Sequence, residues 1–334
     1  MFTRRMLIVL VALCSLLIPL GASSAQEMPD FAALIEAEDV MTHVRTLAVA
    51  IGARPMGGAA EGLAASYVAA ALSDWGYEVT VQEFNAIAPV EGADAGTAIV
   101  SRNVIGVRPG DDQWVVVGAH MDSVTAGTGA GDNASGVAAM LAAARALAGL
   151  DTTHTLVFIA FGAEEGGDPP GAEVYVEGLG DTAGNIIAML NIDSVGVGTA
   201  LNIYAGATIT WPEDENAAPI IEGGPVWVRD LALDLADEMG LLFDTSPANT
   251  WGGFTGDWSD HYAFVQAGVP IAYFEAWQWV GAADPWWGQE TAEGDVMHTP
   301  GDVYSSVVPE KVEMTAEVVA ATTYALATGM AGGE

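Results

Sequence analysis

Cysteine is all but missing from this chain of 334 residues: Cys14 is the only one. Basic residues are nearly as scarce, with 9 Lys plus Arg against 44 Asp plus Glu, and Lys311 is the sole lysine. Each shortage removes a class of protein. A chain whose single thiol lies at residue 14 has no disulfide framework, no thiolate metal site and no nucleophilic cysteine in its body. Any metal it binds is held by His, Asp and Glu. A net charge of −35 repels phosphate backbones and anionic lipid, so neither nucleic acid nor a membrane surface is expected as a partner. Disorder is excluded by a hydrophobic content of 51%, which suffices for one large core.

The N-terminus reads Arg4-Arg5, an apolar run from Met6 to Leu20, then Gly21-Ala22-Ser23-Ser24-Ala25. A positive flank, a short hydrophobic stretch and small residues in that order describe a secretory signal, here residues 1–25. The run falls short of the roughly 20 residues a membrane span needs. The expectation is export, to the periplasm or the medium, followed by a single domain over 26–334. Cys14 would leave with the signal.

Along that domain, helical apolar spacing covers 30–50, 59–74, 135–148, 226–239 and 309–327, and strand-like runs cover 77–84, 103–107, 114–119, 154–161, 185–192, 200–204 and 269–274. Gly- and Pro-rich loops are expected at 163–171, 205–225 and 244–257. Strands alternating with helices predict an α/β fold, a three-layer sandwich around a mainly parallel mixed sheet. In such sheets ligands gather beyond the carboxyl ends of the strands.

Those strand ends carry the chemistry. The run Val115-Val116-Val117-Gly118-Ala119 delivers His120, with Asp122 two residues on, and Gly131-Asp132-Asn133-Ala134-Ser135-Gly136 follows before a helix. The next strand ends at Glu164-Glu165, and the one after at Asn191-Ile192-Asp193. A second imidazole comes from the turn Met297-His298-Thr299-Pro300-Gly301-Asp302. Singly, each has an ordinary explanation as a helix cap, a solvated pair or a surface histidine. Jointly, two imidazoles and several carboxylates from successive strand ends supply the ligands for two metal ions sharing one carboxylate.

In its order and spacing, this set, together with Ser259-Asp260-His261, resembles the M28 family of zinc peptidases, the aminopeptidase Y and bacterial leucyl aminopeptidase type. The likeness runs from about Arg54 to Ala327. It implies a fold of the phosphorylase/hydrolase-like type and two Zn2+ per chain, one held by His120 and Asp193, the other by Glu165 and His298, with Asp132 bridging. It also implies a cis Asp132-Asn133 peptide, Asp122 as the carboxylate orienting His120, and Glu164 as the general base for a water lying between the metals. The implied function is a secreted aminopeptidase removing N-terminal residues, expected to be apolar, from peptides. Two alternatives share the scaffold: a glutaminyl cyclase-type acyltransferase with one zinc, and a non-catalytic binding domain. The chain departs from the family pattern at Met297, where several secreted members have Tyr, and at Gly166-Gly167-Asp168-Pro169-Pro170-Gly171. Tyr262 is the expected substitute for the missing phenol. His261, Trp286 and Trp287 are expected at the substrate pocket, and Trp277 and Trp279 belong to the same aromatic cluster. His43 and His154 are expected to be structural, and Glu275 or Asp257 to anchor a free ammonium. The sequence is silent on oligomeric state.

Overall fold

The computed structural model describes residues 27–90, 96–212, 219–248, 250–279, 288–291 and 294–330. Residues 1–25, expected to be a signal, and Trp286 and Trp287 lie outside these residues. Nine strands matter here: β1 (Glu78–Ala88), β2 (Thr97–Arg108), β3 (Trp114–His120), β4 (Thr155–Phe161), β5 (Ile186–Ile192), β6 (Leu201–Tyr204), β7 (Ala207–Thr210), β8 (Ile220–Gly223) and β9 (Ile271–Ala276). The helices are α1 (Ala37–Arg45), α2 (Ala59–Asp74), α3 (Gly136–Leu147), α4 (Gly171–Leu179), α5 (Trp227–Glu238), α6 (His261–Gln266) and α7 (Pro309–Thr328).

One sheet of seven strands, in the order β1-β2-β4-β3-β5-β9-β6, forms the middle layer. The strands β4, β3, β5 and β9 run parallel, while β1, β2 and β6 pair antiparallel at the two edges. Alternation along β3 divides the core in two. Val115, Val117 and Ala119 pack beneath α1, α3, α5 and α7, whereas Val116 faces Phe161, Tyr175 and Phe264 on the side of α4 and α6. Gly118 also faces that second layer, where a Cβ would run into the Phe161 ring. Glycine is therefore required there for the ring to lie across the strand.

The expected sandwich is present, with local differences. The helix anticipated over 30–50 is broken into a 3-10 turn, α1 and a π-helical turn over Thr46–Ile51. The region 205–225 carries the β7–β8 hairpin, and α4 and α6 are additional short helices. Among the described residues no helix is long and apolar enough to cross a membrane.

Chain connections from the adjacent strands β3 and β4 leave toward opposite faces, through α3 to one layer and α4 to the other. Such a divergence opens a crevice at the carboxyl ends of the strands.

Candidate metal centre and active site

His120 is the last residue of β3; Glu164 and Glu165 follow β4, and Asp193 follows β5. Asp132 lies in the turn entering α3, and His298 in the loop before α7. Among the described residues, three non-glycine residues have positive φ: Ala163 (59°), Ser194 (56°) and His298 (56°). All three belong to these turns. A left-handed backbone at an L residue is uncommon and persists where its surroundings enforce it, often at functional sites. The Asp132-Asn133 peptide is cis, as the resemblance implied.

Asp132 stands between the two imidazoles. Its Oδ1 lies 3.2 Å from His120 Nε2 and its Oδ2 3.0 Å from His298 Nε2. Asp193 Oδ1 lies 3.2 Å from His120 Nε2, and Glu165 Oε2 3.1 Å from His298 Nε2. Glu164 Oε2 is 3.9 Å from His120 Nε2, on the side of Asp193. The six side chains thus form two groups joined through Asp132.

Other residues hold this arrangement without facing it. The Asp122 carboxylate accepts the backbone N–H groups of both Glu164 and Glu165 at 3.2 Å, and its Oδ1 lies 3.7 Å from His120 Nδ1. One side chain therefore fixes the glutamate pair relative to the first histidine. Asp302 accepts the N–H groups of Gly131 (2.5 Å) and Asp132 (3.1 Å). Asn133 Oδ1 accepts from Gly136 and Ser194, and its Nδ2 donates to the Ile192 carbonyl, tying the α3 turn to the end of β5. Ser259 Oγ donates to Asp193 Oδ2 at 2.8 Å. Beneath the site, the fully buried Arg54 guanidinium donates to the carbonyls of Met121, Gly52, Thr128 and Gly129.

The electrostatics show what this assembly lacks. Burial opposes ionisation of Asp132, but the two imidazoles outweigh it and hold the carboxyl below its usual range. Hydrogen bonds to Asp132 and Glu165 raise His298 to about 10. His120 is raised too, because Glu164 and Asp193 overcome the opposing effect of burial. Burial pushes Glu164 and Glu165 up. The imidazoles hold protons tightly because carboxylates outnumber cations around them, and a divalent ion in each group would take the place of those protons. Oxygen and imidazole-nitrogen donors in these proportions suit zinc. The residues present fit two such ions: His120, Asp193 and Asp132 around one, Glu165, His298 and Asp132 around the other.

A cavity of about 280 Å³ opens onto this centre. Beyond the six side chains its wall consists of Trp258, Tyr273, Glu275, Trp277, Trp279 and Met297. Among the described residues, no lysine or arginine lines it. Tyr273 Oη lies 3.5 Å from Asp193 Oδ2 and 3.2 Å from Glu275 Oε1. Tyr204 packs against Tyr273 with ring centroids 5.7 Å apart and accepts Trp279 Nε1–H at 3.0 Å. Burial pushes the Glu275 carboxyl up to about 8. A second cavity of about 220 Å³ lies on the other side of Glu164 and Trp258.

The structure brings together His120, Asp122, Asp132, Glu164, Glu165, Asp193 and His298. Tyr262 lines the second cavity and not the first, while Met297, standing where a tyrosine was expected, lines the first. His261 is buried behind the wall, stacked on Tyr273 with ring centroids 4.7 Å apart and its Nε2 on the Gly256 carbonyl at 2.8 Å. It supports the wall from outside. Asp257 lines the second cavity, so of the two ammonium anchors considered only Glu275 reaches the metal side. His43 is bonded to Tyr67, and His154 to the Asp111 carboxylate at 2.9 Å; neither lines the cavities at the strand ends. Sequence reasoning missed Arg54, Tyr273 and Trp258. A lone arginine followed by proline and a tyrosine inside a strand carry no local signal of such roles.

Similarity to known proteins agrees with this geometry. The model for peptidase family M28 matches residues 103–323. Aminopeptidase YwaD of Bacillus subtilis is 31% identical over 237 residues, 69% of this chain and 46% of that protein. Leupeptin-inactivating enzyme 1 of Streptomyces exfoliatus is 34% identical over 188 residues, 53% of this chain and 39% of that one. The chain thus spans about half the length of these relatives, or less. A solved zinc aminopeptidase from Bacillus subtilis shares the fold with a TM-score of 0.68 at 21% identity, over 91% of this chain and 97% of that one. The family match takes in His120, Asp132, Glu164, Glu165, Asp193 and His298, and the chain belongs to peptidase family M28.

Proposed function

We propose that this protein is a two-zinc aminopeptidase. The observation that carries the reading is Asp132, whose two oxygens face two different imidazoles, with Glu164 beside the His120 end at 3.9 Å, farther from that imidazole than Asp132 and Asp193. Bound zinc would supply Lewis acidity, polarising the scissile carbonyl and acidifying the attacking water. The chain's own residues do the rest. Glu164, half-buried and with its carboxyl raised by desolvation, is placed to take the proton of the water and return it to the departing amine. Asp122 holds Glu164 and Glu165 in register with His120, so base and ligands move as one unit. The indoles of Trp258, Trp277 and Trp279 exclude water and pack the side chain of the residue being removed.

The absence of Lys and Arg from the described cavity lining supports action at an amino rather than a carboxyl terminus, since a terminal carboxylate would face only carboxylates. The N-terminal 25 residues support export before action; Gln26 as the first residue of protein recovered from the periplasm or medium would bear this out, and a start at Met1 would contradict it. The activity is tested by hydrolysis of aminoacyl arylamides by zinc-loaded protein, before and after chelation. Chelator-sensitive release with about two zincs per chain supports the aminopeptidase. One zinc with cyclisation of a Gln-peptide supports the acyltransferase instead.

A further inference from the structure

Glu275 occupies a place in the cavity that metal binding does not use. It is 3% exposed, lines the same cavity as the metal-side carboxylates, and pairs with no cation among the described residues. Its hydrogen-bond partner is the Tyr273 phenol, which donates to Oε1 at 3.2 Å from within the wall. Tyr204, packed against Tyr273 with ring centroids 5.7 Å apart, accepts Trp279 Nε1–H, so the phenol and an indole of the wall are fixed together. Around it the wall is aromatic: Trp258, Trp277 and Trp279. The surface offered to an incoming side chain is thus apolar along its length and acidic at one point, and the Tyr273 hydroxyl separates that point from Asp193.

We propose that Glu275 selects substrates whose N-terminal residue is basic, arginine or lysine, receiving the cationic head while the indoles pack the aliphatic stem. This deepens the aminopeptidase reading and rests on it. The chemistry matches part by part. Arginine and lysine carry three- and four-carbon stems that bury well against aromatic surface, and their heads are strong donors to a carboxylate. Indole faces attract cations in addition. A wholly apolar N-terminal residue would fill the aromatic part and leave a buried carboxyl without the cation it lacks. The apolar preference expected from the sequence is thereby narrowed to the stem.

The test compares each basic residue with a neutral counterpart of similar shape, on the zinc-loaded full-length protein: arginyl against citrullinyl arylamide, and lysyl against norleucyl. A charge-assisted contact in a desolvated pocket predicts kcat/KM ratios of about tenfold or more in favour of the charged member of each pair. In E275Q both ratios fall toward one, because the amide keeps the shape and loses the charge. Wild-type ratios near one, with the arylamides turned over, overturn the role of Glu275 and leave the peptidase reading standing. If Glu275 instead anchors the terminal ammonium, E275Q depresses all four substrates alike with the ratios unchanged, which also overturns the proposal. No turnover of any arylamide with both zincs bound defeats the peptidase reading itself, and this proposal with it. The wild-type ratios need no variant, so a folding failure of E275Q leaves the test intact.

Discussion

Two regions of this molecule bury carboxylates, and they treat them in opposite ways. In the first turn of α2, Glu61 is fully buried, and its oxygens accept the Ser101 hydroxyl at 2.5 Å and the Gly57 N–H at 3.0 Å. Asp122 and Asp302, at the rim of the strand ends, are likewise met by backbone N–H groups. In the crevice itself Asp132, Glu164, Glu165 and Asp193 converge on two imidazoles. Glu165 keeps one backbone donor, from Val124, and Asp193 a hydroxyl, from Ser259. Where the fold spends its N–H and hydroxyl donors on a carboxylate, that group is structural. Where it leaves carboxylates facing one another, it leaves room for a cation.

The comparison is broken most severely by changing a crevice group that binds no metal. E164Q keeps size and hydrogen-bonding shape, so zinc content measured by mass spectrometry stays near that of the wild type while kcat falls about 10²–10⁴-fold, the range of general acid–base catalysis. Full activity in E164Q would exclude Glu164 as the base. Next comes the link between the regions. D122N weakens the hold on His120 and on the glutamate pair, and the expected result is a 10–100-fold loss of metal affinity in a chelator competition. Unchanged affinity would show that Asp122 is only a turn residue. D302A removes the acceptor from two buried N–H groups, with an expected cost of about 1–3 kcal/mol in denaturant unfolding of metal-free protein.

The smallest effect concerns Glu61, a control from the saturated region. Burial raises its carboxyl from 4.5 to about 7, against the opposing hydrogen bond from Ser101. A folded-state value above the unfolded one means that the folded protein binds the extra proton between these limits. The stabilisation is therefore complete below pH 4.5 and lost as pH rises through 7. E61Q should remove this dependence and gain on wild type by about 1–2 kcal/mol between pH 5 and pH 8 in unfolding experiments on metal-free protein. A pH profile parallel to that of wild type would refute the assignment.

Much of this was legible in the primary structure, for physical reasons that differ by level. The parallel strands are buried on both faces, so Val115-Val116-Val117 and Leu156-Val157-Phe158 read as continuous apolar runs whose ends could be located. Candidate site residues stand at or just beyond such ends, which is why His120, Glu164, Glu165 and Asp193 stood out. The edge strands were harder. The first half of β2 is mostly exposed, and Ala98-Ile99-Val100 is followed by Ser101-Arg102 without a strand-like alternation, so only the segment from Asn103 was recognised. The cavity wall was legible only in part. Glu275, Trp277 and Trp279 stood out, but Tyr273 lies on β9, whose length is buried, and nothing local distinguishes a side chain pointing into a cavity from one packed in the core. Tyr262 was favoured for its proximity to Ser259-Asp260-His261, but α6 turns it toward the other side of Trp258.

The account stands most directly on the position of the metals. Crystals grown with zinc and measured on both sides of its absorption edge should show two anomalous peaks about 3.5–4 Å apart, with the Asp132 carboxylate between them. One should lie within reach of His120 and Asp193, the other of Glu165 and His298. A single peak, or two that leave Asp132 outside the coordination of either, would contradict the claim that this carboxylate joins two ions in one centre.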